Sequence, residues 1–70
     1  MPIEEILKLI RKELHISQEQ LARELNISYT TINRWENSHR TPSRLAKMRL
    51  LEFCVLRGVS KEIISALECA

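Results

Sequence analysis

Apolar residues recur at intervals of three and four from the start of the chain: Ile3, Ile6, Leu7, Ile10 and Leu14. That spacing predicts a helix over about residues 2–14 with one buried side. Pro2 suits a first helical turn, and Glu4 and Glu5 are favourable at its positive end. His15 ends the pattern and reads as a surface residue in a connection. No stretch alternates apolar and polar positions as a half-buried strand does.

Two short helices are predicted next. Ser17 followed by Gln20 has the spacing of a capping box, and Ile16 can staple onto Leu21. Leu21, Ala22 and Leu25 then face inward over about 18–25. Asn26 is the stop, since a sharp corner needs left-handed backbone and Asn tolerates it best after Gly. The punctuation repeats at once. Ser28 is a good N-cap, and Ile27 and Ile32 have the staple spacing. A helix over about 29–37 follows, with Ile32 and Trp35 inward and Trp35 as a core anchor.

Ser38 to Thr41 form a polar connection. Thr41 is expected to cap a fourth helix starting at Pro42 and running over about 42–57, stopped by Gly58. Ser60 opens a short fifth helix over about 61–68 that uses Ile63, Ile64 and Leu67. The expectation is a single all-α domain of four to five helices over residues 1–70, with no room for a ligand-sensing domain.

Composition supports a packed helical chain: hydrophobic residues make up 44%, with one Gly and two Pro. No apolar run approaches the ~20 residues that span a bilayer, and Glu4 and Glu5 are unlike the basic start of a signal peptide. Cys54 and Cys69 are too few and too far apart for a disulfide framework or a zinc site. Both fit a reducing cytoplasm. No paired carboxylates, Ser/His/Asp set or Gly-rich phosphate loop is assembled, so neither catalysis nor a metal or cofactor is expected.

Net charge is only +2, but it is unevenly placed. Residues 28–49 hold Arg34, Arg40, Arg44, Lys47 and Arg49 against Glu36 alone, while the segments on either side are neutral or slightly acidic. Taken by itself, such a stretch fits a solvated face as well as a nucleic-acid surface.

Gln18, Leu21, Ala22, Leu25, Ile27, Ile32, the run Trp35-Glu36-Asn37 and the run Thr41-Pro42-Ser43 together decide between these. In type and spacing they resemble the Cro/CI-type (XRE-type, lambda repressor-like) helix-turn-helix regulators over roughly residues 3 to 50. Each position has its own physical reason. Ala22 is small where two helices must approach closely, and Leu21, Leu25, Ile27, Ile32 and Trp35 form the wedge that sets their angle. The family usually has Gly at the corner; this chain has Asn26, which keeps the left-handed option.

The resemblance implies binding to double-stranded DNA. With Ile32 and Trp35 buried, the outer face of the third helix carries Tyr29, Thr30, Asn33, Arg34 and Asn37. Arg34 can bond guanine O6 and N7, Asn33 can bond adenine N6 and N7, and Thr30 offers thymine a hydroxyl and a methyl. Carried over from the family, base contacts fall on Tyr29, Thr30, Asn33 and Arg34. Phosphate contacts fall on Gln18, Ser28, Asn37, Arg40 and Arg44. Lys47 and Arg49 read equally well as solubilising charges. Related repressors pair an Arg of the first helix with the Glu of the third, which makes Arg11 and Glu36 a structural ion pair.

Residues 50–57, LLEFCVLR, are apolar around much of a helical circumference. Leu50, Leu51, Phe53, Cys54, Val55 and Leu56 exceed what one packed face hides, unless the core is larger than the family's. The expectation is a homodimer through the end of helix 4 and helix 5, acting as a small cytoplasmic, nucleoid-associated repressor. An antitoxin-like or protein-interaction module, whose apolar C-terminal helices hold a protein partner, is the alternative.

Overall fold

A computed structural model describes all 70 residues. Five helices follow in order: α1 (Ile3–Leu14), α2 (Gln18–Leu25), α3 (Tyr29–Glu36), α4 (Arg44–Leu56) and α5 (Lys61–Cys69). There are no strands. The all-helical expectation holds.

The corners share one device. His15, Asn26, Ser38 and Gly58 all have positive φ, between 56° and 72°. Past each corner, the next amide donates to a carbonyl five residues back: Ile16 to Arg11, Ile27 to Ala22, His39 to Arg34 and Val59 to Cys54, at 2.9–3.0 Å. These bonds satisfy carbonyls that a helix end would otherwise leave unpaired. In three of the four cases the donor is also apolar and turns inward, with Ile16 and Val59 buried and Ile27 half-buried. One turn type therefore reverses the chain and supplies a core residue.

Serine side chains cap the N-termini of α2, α3 and α4, whereas Pro2 before α1 and Ser60 before α5 make no side-chain cap bond. Ser17 Oγ accepts from the Gln20 amide at 3.1 Å, and Ser28 Oγ accepts from the Thr31 amide at 3.2 Å. The fourth helix departs from expectation. Its cap is Ser43, which accepts from the Ala46 amide at 3.2 Å, and the helix starts at Arg44 rather than Pro42. Pro42 instead disfavours helical backbone at Thr41 and keeps the lead-in extended. The sequence offers two hydroxyl caps in a row, and the later one is used.

Fourteen buried apolar residues form one cluster. Ile6, Leu7 and Ile10 of α1 meet Leu21, Ala22 and Leu25 of α2, Ile32 and Trp35 of α3, Leu50, Phe53 and Cys54 of α4, and Leu67 of α5. Trp35 is only 5% exposed, so it serves the core. A shared core of this kind holds α2 and α3 at a fixed mutual angle. Two further ties connect the C-terminal half. Glu13 of α1 accepts from the Ser60 amide at 2.8 Å, and Lys47 Nζ donates to the Glu68 and Ala70 carbonyls. No helix is long and apolar enough to cross a membrane.

Candidate nucleic-acid interface

Burying Ile32, Trp35 and Glu36 leaves a defined outer side on α3. Tyr29, Thr30, Arg34 and Asn37 are exposed there, and Asn33 is half-buried on the flank nearest α2. Arg40 and Arg44 are exposed just beyond. Thr31, Arg34, Arg40, Thr41 and Ser43 line a polar recess between α3 and the connection to α4. Thr31 and Ser43 were not among the sequence-derived contacts; both are occupied at helix caps, the Thr31 hydroxyl lying 2.8 Å from Ser28 Oγ. Their helix-cap spacing was the available signal.

Beneath this face lies an ion pair. Arg11 donates through Nε to Glu36 Oε2 and through Nη2 to Oε1, each at 2.7 Å, a bidentate arrangement. Glu36 is 3% exposed and is the only buried charged residue. Its hydrogen bond holds the Arg11 guanidinium pKa above the ordinary arginine value, against the opposing effect of burial. Arg11 Nη1 also reaches the Ile16 carbonyl at 3.4 Å, tying the pair to the α1–α2 corner.

The pair continues outward. Gln18 Nε2 donates to Glu36 Oε1 at 3.1 Å, and Gln18 Oε1 accepts from Asn33 Nδ2 at 3.3 Å. Asn33 Oδ1 in turn accepts from Asn37 Nδ2 at 3.0 Å, and the same Asn37 group donates to the Asn33 carbonyl at 2.8 Å. Arg11, Glu36, Gln18, Asn33 and Asn37 thus form one line of hydrogen bonds from the core to the exposed side of α3. Gln18 and Asn33, assigned to phosphate and base by sequence, are each half-buried and partly engaged within the protein. Each amide still has one N–H and one lone pair to offer.

Lys47 points to the α5 end, where it holds two carbonyls. Arg49 is exposed beside Leu25, Ile27, Trp35 and Leu45. No group of three or more His, Cys, Asp or Glu is placed to hold a metal ion.

Two short helices joined by a left-handed corner, the first wedged on the core and the second showing a polar face, define a helix-turn-helix domain. Residues 7–54 match the family model HTH_3, helix-turn-helix, and the chain belongs to that family, the XRE or Cro/CI-type DNA-binding regulators. No curated protein and no solved structure gives a significant match.

Proposed function

We propose that this protein is a sequence-specific reader of duplex DNA that inserts α3 into the major groove and represses transcription by occluding a promoter. The observation that carries the reading is the composition of the α3 outer face. Tyr29, Thr30 and Arg34 project from it, with Arg40 and Arg44 on its border. An α-helix fits the groove, and these side chains match base-edge donors and acceptors. Tyr29, Thr30, Asn33 and Arg34 are the base contacts in this reading. Gln18, Ser28, Asn37, Arg40 and Arg44 hold phosphates and fix the register. Such a protein works beside the chromosome, in the cytoplasm.

A second copy is part of the proposal. Eight residues of α3 span only about 12 Å, less than half a turn of duplex. Useful specificity therefore needs a twofold pair reading half-sites about 34 Å apart. The surface for that pairing is the end of α4 with α5. Val55 and Leu56 are 64% and 80% exposed, and Met48 is exposed beside them. With Leu51 and Ile64 they line an open groove.

Titration of a labelled duplex pool at several salt concentrations tests the reading. Affinity falling steeply with salt, together with selection of a two-half-site sequence, supports it. Absence of binding to any duplex overturns it. The same apolar surface on α4 and α5 favours the second reading, an antitoxin-like or interaction module holding a protein partner. In that case the chain binds DNA weakly and stays monomeric without its partner.

A further inference from the structure

The line of hydrogen bonds from Glu36 to Asn37 has a direction that its chemistry forces. A carboxylate only accepts, so Gln18 must turn its NH2 toward Glu36 and its oxygen away. Gln18 Oε1 can then be met only by the Asn33 NH2. At the other end the Asn33 backbone carbonyl, also a pure acceptor, claims the Asn37 NH2, and the same NH2 donates to Asn33 Oδ1. The Asn33 amide is thereby oriented from both sides. A free asparagine on a helix face turns its amide over at little cost; this one breaks two hydrogen bonds by doing so.

Resting on the reading of α3 as the groove helix, we propose that Glu36 and Gln18, neither of them base contacts, determine base preference by fixing which way round the Asn33 amide meets the base pair. The relay consumes one Asn33 N–H and one lone pair. The remaining N–H and lone pair keep a fixed left-to-right order. An adenine edge presents N7 as acceptor and N6–H as donor. A fixed order therefore favours adenine on one strand of that pair over adenine on the other. Gln18 and Glu36 are positioning residues in this scheme, and Asn33 is the contact they orient. The two hydrogen bonds from Arg11 also hold the Glu36 carboxylate in place, so a core ion pair reaches the DNA face through three amides.

The test is a ratio of affinities, which a uniform loss of binding does not move. Selection from a random duplex pool with the natural chain and with Asn33→Ala identifies the base pair that depends on Asn33. Two duplexes with A·T or T·A at that pair are then compared. The natural chain is expected to discriminate by about 10-fold or more, and Asn33→Ala to lose the discrimination. Gln18→Met keeps the ion pair but cuts the relay. Combined with Asn37→Ala it releases both tethers, and the A·T/T·A ratio is expected to drop to within about threefold of unity. Total affinity falls as well, because both residues face phosphate. Helical content by circular dichroism confirms folding, and Gln18→Met alone is the fallback if the double variant unfolds.

An unchanged ratio in the released variant overturns the proposal. So does an Asn33→Ala variant that leaves every selected position as it was. Failure of the natural chain to select any sequence is a different result, and it sinks the groove-reading proposal as well.

Discussion

Arg11 and Glu36 are paired through two hydrogen bonds of 2.7 Å, yet they are buried unequally: 23% of the Arg11 side chain is exposed and 2% of the Glu36 side chain. The pair is therefore asymmetric in what each deletion leaves behind. Arg11→Met strands a carboxylate in the core with only Gln18 as donor, and should cost about 3–5 kcal/mol of stability. Glu36→Leu leaves a guanidinium that can swing into solvent, and should cost less, about 1–2 kcal/mol. The double variant should recover most of the loss. Denaturant midpoints for the three variants check this ordering; equal losses for the two single variants contradict it.

The corner residues carry a second expectation. His15 and Asn26 both sit at φ 56°, a region that penalises a Cβ by about 1–2 kcal/mol but is tolerated better by Asn. Glycine relieves that strain and gives back about 0.4–1 kcal/mol through a freer unfolded chain. His15→Gly should therefore stabilise by about 0.5–1 kcal/mol, and Asn26→Gly by markedly less. Thermal melts of both distinguish the cases. A destabilised His15→Gly chain shows that the imidazole contributes a contact of its own.

Those corners also show what the sequence makes legible. Apolar spacing locates α1 through α3, and Trp35 and Ile32 are inside because their positions three apart leave no other common face. Asn26 is legible because few residues tolerate its backbone. Val59 is less so: it is buried only because the Gly58 turn swings it inward, and periodicity does not extend across a turn. The start of α4 depends on a choice between Thr41 and Ser43 that local chemistry leaves nearly balanced. The links among Gln18, Asn33 and Asn37 depend on the angle between α2 and α3, which is a tertiary quantity. Residue types marked this face, but the bonds within it were not visible until the helices were placed.

Cys54 gives a pH dependence with a definite sign. Burial, and secondarily the charge of Glu13, push its thiol from the ordinary value near 9 up to about 11. In the unfolded chain the thiol ionises first, so the unfolded state holds fewer protons between these values and gains on the folded state as pH rises. The contribution is whole below about pH 9 and is lost as pH approaches about 11. Allowing for partial screening, it amounts to about 1–2 kcal/mol. Cys54→Ala should flatten that part of the stability profile. A thiol reagent at neutral pH should label the exposed Cys69 quickly and Cys54 only on unfolding.

Arg34 is the strongest single test of base reading. Its side chain is exposed in the last turn of α3 and no intramolecular salt bridge holds it. If it bonds guanine through O6 and N7, Arg34→Ala should cost about 1–3 kcal/mol on the selected site and relax preference at one pair. Arg40→Ala, by contrast, should weaken all duplexes alike and make the salt dependence shallower by about one counterion. An Arg34→Ala variant that behaves like Arg40→Ala would make Arg34 a phosphate contact.

Leu56 separates self-association from stability. At 80% exposure in the single chain, Leu56→Glu should alter monomer stability by no more than about 0.5 kcal/mol. In a twofold pair built on α4 and α5 the same carboxylate would be buried against Val55 and Met48 of a second copy without a partner charge, at a cost of several kcal/mol. Sedimentation at micromolar concentration should then find a dimer for the natural chain and a folded monomer for Leu56→Glu, whose melting temperature, unlike that of the natural chain, does not depend on concentration. On DNA, the variant should occupy half-sites independently, whereas the natural chain should fill both together. A natural chain that remains monomeric both free and on a two-half-site duplex removes the dimer and leaves the α4–α5 groove for a different protein.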